Sequence, residues 1–104
     1  MYVPAGITKQ AEIATSTSAV AKALAPDVVR IRHDIGEDWS GDPAIHFRVI
    51  LSDSASAPEN LRNAMRRVTS QLEAEVKPYE LGLIPYFSFR SESEQAELKE
   101  KVWA

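Results

Sequence analysis

The chain has 104 residues, 44% of them hydrophobic and 26% charged, which are the proportions of one soluble globular domain with a modest core. A net charge of −3 excludes nucleic-acid binding through bulk charge alone, and the absence of cysteine excludes a disulfide framework, thiol catalysis and a Cys-based zinc site. No apolar run approaches the length of a membrane span, and the N-terminus lacks the basic-then-apolar layout of a secretory leader, so the cytoplasm is the expected compartment.

Residues 1–6, MYVPAG, read as an irregular arm, and residues 1–15 as a loosely attached stretch of the single domain 1–104. Ile13, Val20 and Leu24, with Ala14 and Ala21 beside them, form a helix-period stripe from about Thr8 to Ala25. Pro26 ends it, because a proline ring disfavours helix at the residue before it. The run Thr15-Ser16-Thr17-Ser18 weakens the first half, since short hydroxyl side chains compete for backbone hydrogen bonds. A helix starting near Ser16 or Ser18 is therefore the alternative.

Residues 28–53, VVRIRHDIGEDWSGDPAIHFRVILSD, carry the clearest pattern: two strands around an acidic loop. Strand side chains alternate between faces. In the first strand Val29, Ile31, His33 and Ile35 share one face, and Val28, Arg30, Arg32 and Asp34 the other. In the second, Ile45, Phe47, Val49 and Leu51 point inward, leaving Ala44, His46, Arg48 and Ile50 outward. The connection GEDWSGDP is rich in turn formers and too long for a two-residue turn, so it reads as an ordered loop with Trp39 at its tip.

Ser56-Ala57-Pro58-Glu59 has the form of a reciprocal helix cap, with Ser56 accepting from the Glu59 amide. Leu61, Met65, Val68, Leu72 and Val76 then make one apolar stripe, opposite Arg62, Asn63, Arg66, Arg67, Ser70 and Gln71. Pro78 ends this helix. After KPYELGLIP comes a short strand over Tyr86–Arg90, with Phe87 and Phe89 inward and Tyr86, Ser88 and Arg90 outward. Ser91-Glu92-Ser93-Glu94 is a second capping pattern, opening a last helix that carries Ala96, Leu98, Val102 and Trp103. The fold class is thus α+β, in the order α-β-β-α-β-α, with a three-stranded sheet (a hairpin plus one strand) and helices packed on one face.

Arg30, Arg32, His46, Arg48, Tyr86, Ser88 and Arg90 gather on the outward sheet face. Guanidinium forks bind carboxylate and phosphate at two points, so this face reads as a partner-docking surface. The plainer alternative is a wet face whose arginines pair with acids of the terminal helix. Trp39 among Glu37, Asp38 and Asp42 is the second candidate, either an interface anchor or a side chain folded back over the sheet. Those acids do not follow the calcium-loop spacing, and His33 and His46 fall on opposite faces, so no metal or other cofactor is expected. No nucleophile elbow, phosphate-cradling glycine loop or H-E-x-x-H motif is present.

EDWSGDPAIHFRVILSD, together with YELGLIPYFSFRSESEQ, resembles a pattern found in small uncharacterised bacterial proteins, over residues 28–97. The resemblance attaches no activity and no site residues. Short acidic proteins of this type often work with a second small protein, as in toxin–antitoxin pairs. The β-β-α-β order is also similar to ferredoxin-like and KH-like modules, although the G-x-x-G clamp of KH domains is missing and the nearest text is LGLIP. The expectation is a non-enzymatic, cytoplasmic protein-interaction module that binds through Trp39, Arg30, Arg32, His46, Arg48, Tyr86 and Arg90. Its alternatives are a nucleic-acid binder using the basic outer sheet face, and a small enzyme with an unrecognised site. Three strands leave open edges, so a homodimer is a further expectation.

Overall fold

A computed structural model describes residues 9–103 of the chain. The expected arm at residues 1–6 lies outside them. Helix α1 spans Gln10–Ala23, strand β1 Val28–Glu37, strand β2 Pro43–Leu51, helix α2 Pro58–Val76, strand β3 Ile84–Ser91 and helix α3 Glu92–Leu98, with single 3-10 turns at Pro78–Leu81 and Lys101–Trp103. This is the α-β-β-α-β-α order of an α+β fold, built on a mixed sheet in which β2 is central, antiparallel to β1 and parallel to β3. The parallel pairing is why α2 lies between β2 and β3: a strand that returns in the same direction needs a crossover, and a helix supplies it.

Ile45, Phe47, Val49 and Leu51 of β2 face α1 and α2, joining Ile13, Val20, Val68, Leu72 and Leu83 in one buried core. Phe47 and Phe87 stack across β2 and β3 with ring centroids 5.4 Å apart. The apolar stripe of α2 packs largely as its spacing requires, with Ala64, Val68, Leu72 and Val76 buried and Leu61 packed at the margin.

Four local expectations are corrected. First, α1 begins at Gln10 and Ile13 is fully buried, so residues 10–15 belong to the packed helix rather than to a loose stretch. Thr15 and Thr17 do not break it, because their hydroxyls donate back to the carbonyls of Ala11 and Ala14. Second, β1 carries a bulge between Val28 and Arg30, which turns Val28 inward and leaves Val29 38% exposed. Third, α2 is not capped by Ser56. The residue before a proline is held extended, so Ala57 is the N-cap, and the buried Ser56 hydroxyl has no hydrogen-bond partner among the described residues. Fourth, the last helix stops at Leu98. The chain reverses at Lys99 (φ 52°), leaving Leu98 and Val102 exposed while Trp103 is buried. The capping box expected at Ser91 does form, with Ser91 accepting from the Glu94 amide and Glu94 accepting from the Ser91 amide.

Candidate functional site

The β1–β2 and β2–β3 registers align the outward residues in rows across the sheet: Arg30–Ile50–Arg90, Arg32–Arg48–Ser88, Asp34–His46–Tyr86 and Gly36–Ala44–Ile84. Six of the seven residues singled out from the sequence therefore share one face, and the seventh, Trp39, lies on the β1–β2 loop. They do not share one environment.

The first row is covered. The C-terminal turn packs against β2, and the Arg30 Nε donates to the Trp103 carbonyl at 3.0 Å. The Arg90 guanidinium lies 4.2 Å above the Trp103 ring, donates to the Gln95 side-chain oxygen and pairs with Glu100 at 3.0 Å. Between these two arginines Ile50 is 1% exposed. An apolar side chain on the outward face thus acquires an indole cover, held by a cation–π contact on one side and a carbonyl on the other. Gln95 secures the reversal, its Nε2 donating to the Glu100 carbonyl. Arg30 and Arg90 are thereby fixed within the molecule.

The next two rows form the accessible half, whereas in the last row Ala44 is fully buried. Arg48 forms an ion pair with Asp34 across the strands. The His46 and Tyr86 rings stack at 5.4 Å, 18° from parallel. Arg32 stands beside Arg48 in register and also makes an interaction of its own. His33, on the other face opposite Phe47, is half buried, and that burial lowers its pKa below the usual 6.5 despite the opposing pull of Asp34.

The loop that bears Trp39 adjoins this half. Asp38 is its organiser. One carboxylate oxygen accepts from the Ser40 amide (2.9 Å), the Ser40 hydroxyl (2.6 Å) and the Asp42 amide (3.0 Å). The other accepts from the Tyr86 hydroxyl at 2.9 Å. The backbone closes the same turn, with the Asp38 amide donating to the Asp42 carbonyl and the Gly41 amide to the Asp38 carbonyl. Gly41 has φ 89°, a conformation strained for any residue with a side chain. So many donors on the ionised carboxylate, the Ser40 hydroxyl foremost and then the Tyr86 hydroxyl and the loop amides, hold the Asp38 pKa down at about 2. The Tyr86 hydroxyl is held protonated by the same bond, its pKa raised above 10.

On this braced loop Trp39 is 93% exposed, so it does not fold back over the sheet. The sequence placed Asp38 among the acids around Trp39 but did not mark it as the loop's organiser, and Ser40 went unmarked. The D-x-S-x-D spacing of Asp38, Ser40 and Asp42 was the available signal, since Asp side chains bond amides two residues on. Asp34 pairs with Arg48, and Asp42 bonds within the loop through its amide and its carboxylate. Among the described residues no group of three or more His, Cys, Asp or Glu side chains has metal-binding geometry, and no helix is long and apolar enough to cross a membrane. Comparison with protein-family models finds no match, and comparison with curated proteins finds none.

Proposed function

We propose that the protein works as a docking module for a second protein, in the cytoplasm and without chemistry of its own. Trp39 is the anchor, and His46, Tyr86, Arg48 and Arg32 form the surface beside it. The observation that carries this reading is the combination of a fully presented indole with a loop that is rigid beneath it. Leaving a large amphipathic ring in water gains the isolated chain nothing, whereas burying it in a partner's pocket is worth on the order of 2–4 kcal/mol, the range of interface hot spots. Fixing the loop in advance removes part of the ordering cost of association. The adjoining face offers a stacked His–Tyr pair and an Arg–Asp pair, a mixed polar rim of the kind that surrounds such anchors.

The small, acidic character of the chain suits a two-protein pair in which the partner is itself small, as in toxin–antitoxin systems. Nucleic acid is the weaker reading. Arg90 and Arg48 are matched by Glu100 and Asp34, and Arg30 is bound to the Trp103 carbonyl, so much of the outward positive charge is already used. Capture from a lysate of the source cells tests the proposal: a partner retained by the intact chain and by Arg62→Ala, but lost with Trp39→Ala, is the expected result. Retention that ignores Trp39 refutes it.

A further inference from the structure

Among the described residues β1 is an edge strand, paired with β2 on one side only. Past the bulge at Val29 it runs regularly from Arg30 to Glu37, and such an edge is a template for another strand unless something blocks it. Its charges are ordered along its length, with Arg30 and Arg32 in the first half and Asp34 and Glu37 in the second. That asymmetry is self-complementary under a two-fold axis perpendicular to the sheet.

The register follows from elementary strand geometry. Both backbone groups of a residue point to the same side of a strand and alternate from one residue to the next. Antiparallel partners across a free edge must therefore have residue numbers whose sum is even. Centring on Arg32 sets Arg32 against itself, and centring on Asp34 sets Asp34 against itself; like charges directly opposite are destabilising. Centring on His33 sets Arg32 against Asp34 twice and Ile31 against Ile35 twice, with Val29 facing Glu37. A groove of about 280 Å³ runs along this edge between Thr17, Ser18, Ala21 and Lys22 of α1 and the start of β1. Lys22 on its wall adjoins the place where Glu37 of a second copy arrives.

We infer that the chain forms a homodimer through antiparallel pairing of the two β1 edges about His33, making one continuous six-stranded sheet. The α1 helices approach across the axis on the core side, where the flank beside β1 carries the small Ser18 and Ala21 together with Lys22. The two Trp39 loops then lie at opposite ends of the paired strands, roughly 40 Å apart at about 3.4 Å per residue. The pairing does not depend on what Trp39 docks.

The absence of cysteine makes the register directly readable. Oxidation of His33→Cys should give a disulfide-linked dimer, since facing residues lie within bridging distance. Ile31→Cys and Ile35→Cys should each stay unlinked alone and cross-link when mixed. Arg32→Asp should weaken dimerisation at least about tenfold by light scattering, and adding Asp34→Arg should restore it. In the unsubstituted chain, hydrogen exchange of the outward β1 amides should slow as concentration rises. A chain that scatters as a monomer up to about 1 mM, exchange in β1 that is independent of concentration, or Ile31→Cys linking to itself overturns the inference.

Discussion

Replacing Trp103 with Ala tests the cover that divides the outward sheet face. The indole is 7% exposed, stacks beneath Arg90 and lies beside the buried Ile50 position. A packed Trp truncated to Ala costs about 3–5 kcal/mol, and the lost cation–π contact about 0.5–1 kcal/mol more. Part of this is offset, because a terminal turn without its anchor frays and regains about 1–2 kcal/mol of backbone entropy per residue released. We therefore expect a net loss of about 2 kcal/mol, within the usual span of damaging core substitutions. In urea, with a slope of about 1–3 kcal/mol per molar, the unfolding midpoint falls by roughly 0.7–2 M. Val102→Ala is the control. It lies in the same turn but is exposed, and it should move the midpoint by no more than about 0.2–0.5 M over the same range of slopes, since surface changes stay within about 0.5 kcal/mol. If Trp103→Ala behaves like Val102→Ala, the terminal turn does not clasp the sheet and the whole outward face is open.

Four further outcomes rest on contacts of Asp38, His33 and Ser91. Asp38→Ala should leave the melting temperature nearly unchanged yet speed hydrogen exchange at the Ser40 and Asp42 amides, which it no longer holds, and weaken partner binding through Trp39 about tenfold. In acid, Asp38 holds the loop with full effect above its ordinary pKa of 3.8 and releases it as pH falls through about 2, so those amides should still be protected at pH 3. His33 has the opposite chemistry but the same direction: its pKa is lowered, so its contribution is complete above pH 6.5 and lost as pH falls below that value, and His33→Phe should flatten the melting temperature between pH 7 and pH 5. Ser91→Ala should cost about 1 kcal/mol by denaturant titration, because it removes the hydroxyl that accepts from the Glu94 amide in the α3 cap.

The legible parts of the fold were those written in local periodicity. Ile45, Phe47 and Val49 alternate with His46 and Arg48, and the α2 stripe repeats every turn, so both elements and these buried faces follow from spacing, whereas the burial of Ile50 does not. The bulge was not legible, because Val28 and Val29 are the same residue and either satisfies the inward position. The terminal clasp was hidden for a related reason. Leu98 and Val102 continue a helical stripe, and the reversal sits at a lysine in a left-handed conformation rather than at a glycine. The site divides in the same way. Alternation assigned six of the seven candidates to their face, but which arginines are covered depends on Trp103 returning 73 residues after Arg30. The Asp38–Tyr86 bond likewise exists only because β3 lies parallel to β2 in a register that no local signal specifies.

The proposal that Trp39 and the accessible half of the sheet dock a partner meets its most direct test in quantitative capture from source-cell lysate by the intact chain and three variants. A single small protein bound in stoichiometric amount, lost with Trp39→Ala, reduced with Arg48→Ala and unaffected by Arg62→Ala on the far side of α2, is the predicted result. Equal recovery by all four chains, or no stoichiometric partner for any of them, contradicts it.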